Sequence, residues 1–365
     1  MVKSRRGQPD YLILVVAGLL ILLGFAALAS ASSDLGKVKF DDAYYYLKHQ
    51  ALYGFIPGVF GGLLGYFINY RFLKKWATPF LLSAIGLLLL VFSPLGFASG
   101  GAQRWIEFGP VTIQPSEILK LAFIIYLAAW LSSTKGDRQK SFHEGFLPFL
   151  AISGFIGLVL LIQKSTSAAA IILLTALVIY FIGGAKKKYV AAIGLAGLGL
   201  LTLFVLFTPY RLDRIKTYLS GGEEETAESY HSNQALIVIG SGGPWGVGYG
   251  QSASKSYLPE RIGDSIFAII AEEFGLIGSL TIIFLFFSLS LRSFILARRA
   301  RDEFGRLILV GFGMIIGLQA FIHIGANSGL VPLTGVPLPL ISYGGTALAA
   351  FMTMIGLMLN ISRNI

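Results

Sequence analysis

The stretch YLPERIGDSIFAIIAEEFG, residues 257–275, sets Asp264 where a polar loop meets an oily helix, and Glu272 and Glu273 two turns deeper. A second group of ionisable residues stands in GGAQRWIEFGPVTIQPSEILKLAF, which carries Arg104, Trp105, Glu107, Glu117 and Lys120. Carboxylates can take up protons and cations can steady developing negative charge, but the same residue types also do structural work. Glu117 and Lys120 are three apart, hence on one helix face and close enough to neutralise each other. Asp264 follows Gly263 at a helix start, a place where a carboxylate serves either as a cap and dipole partner or as a reactive group. Glu272 and Glu273 lie about 12 Å further along, and neighbours on a helix diverge by about 100°. At most one of them therefore shares the face that Asp264 overlooks, and the other satisfies an adjacent helix or an unwound backbone segment.

The elements that hold these charges are membrane helices. Of 365 residues, 55% are hydrophobic and 13% are charged, whereas soluble domains carry about 25% charged residues. Mean hydropathy is +0.72. Ten apolar stretches are each long enough to cross a hydrocarbon core, at about 11–31, 51–70, 78–96, 116–133, 146–163, 166–183, 190–208, 265–290, 307–327 and 342–361. They make residues 1–365 a single integral membrane domain of the all-α, polytopic class. An ionisable group at the centre of such a helix costs about 2.5–3.5 kcal/mol on insertion scales, so it usually faces a cavity and serves a function.

Net charge is +10, and its placement argues for orientation rather than for a nucleic-acid partner. Basic residues fill alternate connections: Lys3, Arg5 and Arg6; Arg71, Lys74 and Lys75; Lys135, Arg138 and Lys140; Lys186, Lys187 and Lys188; and Arg292 to Arg306. By the positive-inside rule these segments, and both termini, are cytoplasmic. The first apolar stretch lacks a convincing small-residue cleavage site and reads as a retained anchor. The opposite connections include a large extracytoplasmic loop over 209–264, with an acidic, glycine-rich middle, GGEEETAES. There is no cysteine, which excludes thiolate chemistry, and four scattered histidines lack ligand spacing, which argues against a histidine metal centre. GSGGPWGVGYG lacks the GxxxxGK[ST] pattern of a phosphate loop. Gly54, Gly58 and Gly62, with Gly61 and Gly65, form a small-residue face for close helix packing. Pro332, Pro337 and Pro339 prevent a regular helix before the last span, so this segment is expected to be re-entrant or folded over the outer mouth.

From end to end the chain resembles the SEDS family of bacterial cell-wall polymerases, whose branches include FtsW and RodA. The motifs that carry the resemblance are GAQRWIEFG, IQPSEILKLAF, YRLDRI, QALIVIGSGGPWGVGYG, YLPERIGDSIFAIIAEEFGLIG and PLTGVPLPLISYGG. The resemblance implies ten transmembrane helices in the cytoplasmic membrane and a glycosyltransferase that polymerises glycan strands from lipid II, a disaccharide pentapeptide on polyprenyl pyrophosphate. It implies Asp264 as the essential acid, and Arg104, Trp105, Gln114, Glu117, Lys120 and Ser342 as substrate-binding residues. A class B penicillin-binding protein and other division or elongation proteins are the implied partners, and a divalent cation, Mg or Mn, the implied cofactor. A flippase or a non-catalytic scaffold for a transpeptidase are the competing expectations. YYYLKHQ and the tail after SYGG lean towards the FtsW branch. Two departures stand out: QKSTSAA, with Lys164, replaces the family's QPDLGTA, and RIGDSIFA replaces HTDFIFA while keeping the acid.

Overall fold

The computed structural model describes residues 7–99, 102–109, 111–133, 138–207, 212 and 227–365. A helix stands at each of the ten expected positions. Among the described residues, seven helices are long and apolar enough to cross a membrane.

Helix α1 (Tyr11–Phe40) starts where the Asp10 side chain accepts from the Ile13 N–H and runs nine residues past its expected end. Helix α2 (Tyr45–Gln50) continues through a π turn, Ala51–Phe55, into α3 (Ile56–Phe67). After an Asn69 cap comes α4 (Tyr70–Leu90). A small antiparallel sheet follows, in the order β1 (Gly96–Ser99), β2 (Ala102–Phe108), β3 (Val111–Ile113), in a stretch the sequence marks only as a connection. It delivers the chain to α5 (Pro115–Ser132), which opens with a proline, where the absent N–H costs nothing.

Helices α6 (Leu147–Ile162), α7 (Thr166–Ile182) and α8 (Lys187–Leu206) come next. The YRLDRI motif and most of the acidic run lie outside the described residues, apart from Leu212 and residues 227–229. From residue 227 the large loop is largely structured: α9 (Ala227–Ser241) packs against α10 (Ile266–Arg299). Helices α11 (Glu303–Asn327) and α12 (Gly345–Ser362) complete the bundle. Both chain ends meet at one end of it: the Gly7 N–H donates to the Arg363 carbonyl (2.9 Å) and the Asp10 N–H to Ser362 Oγ (3.0 Å).

The centre of the bundle is α5, α11 and α12, which are mostly buried, whereas α4 exposes most of its apolar length. The glycine face of α3 is used within the chain. A Cβ at Gly54 would reach the Gly345 Cα at 3.0 Å, and one at Gly65 the Leu357 N and Thr353 O at 3.1 Å, so α3 and α12 touch backbone to backbone.

Glycine also sets the one sharp break in α10. Gly275 takes φ 65° and ψ −161°, and the turn 242–248 fills the gap this opens. The Leu276 N–H donates to the Gly243 carbonyl (2.9 Å), while the Val247 and Gly248 N–H groups donate to the carbonyls of Glu272 (2.9 Å) and Glu273 (3.1 Å). GSGGPWGVGYG is thus a segment that satisfies a broken helix with its own backbone, as irregular chain within a membrane protein must be satisfied.

Candidate active site

The proline-rich segment 332–342 is re-entrant. Val336, Leu338, Leu340 and Ile341 are buried, and a Cβ at Gly24 of α1 would come within 2.7 Å of the Leu340 carbonyl and the Ile341 Cα. The segment is a plug inside the bundle, not a cover over its mouth. One face of α11 holds it there. Gln319, His323 and Asn327 recur every four residues and donate to two pieces of non-helical chain: Gln319 Nε2 to the Pro337 carbonyl (2.8 Å) and His323 Nδ1 to that of Val336 (2.8 Å), both in the plug, and Asn327 Nδ2 to that of Asp264 (2.9 Å). The sequence reading passed over these three. Their signal is a polar residue at i, i+4 and i+8 of an otherwise apolar helix, QAFIHIGAN.

Asp264 precedes its helix and does not cap it. The cap position belongs to Ser265, whose side chain bonds the Pro259 carbonyl (2.9 Å) and His231 Nε2 (2.6 Å) instead of the helix backbone. Three consecutive carbonyls are pinned from two elements: Ile262 by the Tyr343 N–H (2.9 Å) and Gly263 by Ser342 Oγ (2.7 Å), at the end of the plug, and Asp264 by Asn327 of α11. The Ser342 hydroxyl also accepts from the Leu338 N–H (2.8 Å), so it serves as a brace beneath Asp264. The Tyr343 phenol pairs with His49 Nδ1 (2.8 Å).

Opposite this segment stands β2. A Cβ built on Gly335 would sit 3.4 Å from Asp264 Oδ2 and 3.5 Å from Arg104 Nη1, so the carboxylate and the guanidinium converge on the same glycine of the plug. Arg104 Nη2 also donates to the Lys164 carbonyl, which ties the sheet to the α6–α7 turn, where Lys164 adopts φ 57°. Alternation along a strand sends Trp105 to the other face, paired with Phe97 of β1. The structure therefore brings Arg104, and not its neighbour, to Asp264. Gln114 is buried at the start of α5, and its backbone N–H donates to Thr346 Oγ1 (3.2 Å), which joins α5 to α12.

Glu117 and Lys120 form an ion pair at 2.6 Å with side chains 3% and 1% exposed. Lys120 Nζ also donates to Gln319 Oε1 (2.7 Å), the same glutamine that holds Pro337. The pair is a buried support of the plug. Glu272 and Glu273 likewise work inside the bundle: Glu272 accepts from Ser241 (3.2 Å) and Ser252, and Glu273 accepts from Ser30 of α1. No group of three or more histidine, aspartate or glutamate side chains gathers among the described residues.

Comparison with known proteins places this geometry. A family profile described as "Cell cycle protein", covering FtsW, RodA and SpoVE, matches residues 10–365. The chain is 37% identical over 355 residues to a protein named probable peptidoglycan glycosyltransferase FtsW from Geobacter sp. (strain M18), with 97% of this chain and 96% of that one covered. It is 36% identical to stage V sporulation protein E of Bacillus subtilis (strain 168), covering 99% and 98%. Among solved structures, a chain described under structural coordination of polymerization and crosslinking by a peptidoglycan synthase complex aligns with a TM-score of 0.79 at 27% identity, covering 97% and 98%. The rod shape determining protein RodA of Thermus thermophilus aligns with a TM-score of 0.71 at 27% identity, covering 97% of each chain. An all-α bundle of apolar helices, a charged pair at a re-entrant plug and an end-to-end match lead to one statement: this chain belongs to the FtsW/RodA/SpoVE family of cell cycle proteins, the SEDS family, and is a multi-pass membrane protein.

Proposed function

We propose that this protein is a peptidoglycan glycosyltransferase that polymerises lipid II by inverting glycosyl transfer at the outer face of the bacterial cytoplasmic membrane, in cell division, with both termini cytoplasmic. The observation that carries the reading is the convergence of Asp264 Oδ2 and Arg104 Nη1 on Gly335. Asp264 takes the proton from the attacking sugar hydroxyl as that oxygen bonds the anomeric carbon of the donor. The bond from the anomeric carbon to the pyrophosphate breaks, and its electron pair leaves with the polyprenyl pyrophosphate. Arg104 lies where that negative charge grows. A single displacement turns an α donor bond into a β linkage, so no covalent carboxylate intermediate is needed.

Lys120 was the other candidate cation, but it is buried and already shared between Glu117 and Gln319. Glu117, Lys120 and Ser342 accordingly act through the plug and the segment it holds, and Gln114 through the joint between α5 and α12, while Trp105 is on the strand face opposite Arg104, where it can meet substrate. A divalent cation, Mg or Mn, fits this donor set only when held by Asp264 together with substrate phosphates, since such ions commonly rest on one or two carboxylates plus phosphate oxygens. A class B penicillin-binding protein is the expected partner, because a polymerase of this kind makes uncrosslinked strands.

The test gives labelled lipid II to purified protein, alone and with a class B penicillin-binding protein, and compares it with Asp264→Asn after matching the two for monodispersity and unfolding midpoint. Strand formation by the parent and its loss in the variant is expected. Undiminished strands from Asp264→Asn would remove the base assignment, and no strands from either would turn the reading towards a flippase or scaffold.

A further inference from the structure

At the end of the bundle that carries both termini, a cavity of ≈ 250 Å³ opens between the α3–α4 junction and the end of α12. Arg71, Arg301 and Arg363 line it together with Asn69, Asn360 and Asn364, and no carboxylate does. Of the three arginines, Arg71 is bound to Asp302, through Nε at 3.2 Å and Nη2 at 3.1 Å. Arg301 and Arg363 have no ion-pair partner among the described residues. The Arg363 guanidinium lies over the Tyr66 ring, 4.6 Å from its centroid, and its Nε is buried without a hydrogen-bond partner among the described residues. Stacking on an aromatic face holds a guanidinium still while leaving its edge donors available.

Two uncompensated guanidinium groups beside one cavity repel each other, and a buried donor without an acceptor is costly. An anion placed between them relieves both. Phosphate suits the site, because its oxygens accept the forked donors of arginine. The depth of the cavity speaks for a lipid source. Phe67 lines it and is 62% exposed, and Phe72 and Trp76, on the first turns of α4, are 53% and 54% exposed. An exposed tryptophan such as Trp76 marks the headgroup level of a bilayer, and the exposed Phe67 and Phe72 rings offer apolar surface beside it. Asp264 precedes α10 and Arg301 follows it, and the unbroken stretch 276–299 alone spans about 36 Å at 1.5 Å per residue, so this cavity is separate from the candidate active site.

We propose that this cavity binds a phosphate group, and that its occupant is the headgroup of an anionic phospholipid. The inference does not depend on the reaction proposed above. It is tested by native mass spectrometry of the detergent-purified full chain titrated with phosphatidylglycerol, phosphatidylcholine or inorganic phosphate, for the parent, Arg301→Gln, Arg363→Lys and the double variant Arg301→Gln/Arg363→Gln. Near the membrane surface each cation contributes about fivefold in affinity. Retention of phosphatidylglycerol over phosphatidylcholine is expected, falling about fivefold in Arg301→Gln and further in the double variant, and largely kept in Arg363→Lys. Displacement of the lipid by millimolar inorganic phosphate would support the anion site and assign it to soluble phosphate instead. Equal retention of both lipids, or an unchanged Arg301→Gln, overturns the proposal. Arg301 is exposed, so that variant reads binding without disturbing the core.

Discussion

Asp264 Oδ2 and Arg104 Nη1 both face the point that a side chain on Gly335 would occupy. Gly335 has no positive φ to protect, so its value lies in space alone. Gly335→Ala would place a methyl at ordinary contact distance from both groups, 3.4 and 3.5 Å. An unchanged unfolding midpoint is expected with polymerisation slowed about 10- to 100-fold, since small displacements at a reacting centre are expensive. Full activity in this variant would show that substrate does not pass between the two residues.

Asn327 and Ser342 hold the backbone on either side of the Asp264 amide. Removing either donor strands a carbonyl, at about 1–3 kcal/mol. Asn327→Ala and Ser342→Ala should each lower the unfolding midpoint and lower kcat more than they raise KM. A change confined to KM would mean that the side chain binds substrate directly.

The buried Glu117–Lys120 pair separates structure from chemistry. Breaking such a pair costs about 3–5 kcal/mol, while replacing both members with uncharged groups of similar volume can be nearly neutral. Lys120→Met and Glu117→Gln should each destabilise strongly, and the double variant should regain most of the loss and retain polymerase activity. A stable but inactive double variant would place Lys120 at the pyrophosphate.

Asp302 gives a pH dependence with a definite sign. Burial alone would raise its carboxyl, but bonds from Tyr70, the Gly305 N–H and Arg71 outweigh it and hold the group below its ordinary 3.8. A depressed carboxyl contributes stability that is present above the unfolded value and is lost as pH falls through the folded one. The parent's midpoint in detergent should therefore drop below about pH 4, while Asp302→Asn should start lower at pH 7 and change less on acidification. Parallel curves would remove the assignment.

Hydrophobic length makes the positions of the apolar helices readable, while the bond from Gly7 to Arg363, which brings these two residues to one end of the bundle, has no counterpart in the sequence pattern. Less readable was everything that depends on contact between distant segments. The sheet at 96–113 is too short and too glycine-rich to announce itself by alternation. GSGGPWGVGYG has a composition that many loops share, and only the break at Gly275 explains it. In sequence Asp264 reads equally as a cap or as a reactive group, and only the structure gives the cap position to Ser265. The α11 stripe of Gln319, His323 and Asn327 is visible as spacing, but its purpose lies in carbonyls of other segments, two in the following plug and one at Asp264, 63 residues back.

The three pinned carbonyls at residues 262–264 bear on how turnover proceeds. A carboxylate carried on so constrained a segment is oriented when the protein folds, not anew in each cycle. On the proposed reaction, the sugar strand and its lipid are the parts that move past Asp264, much as thread moves past a fixed needle guide.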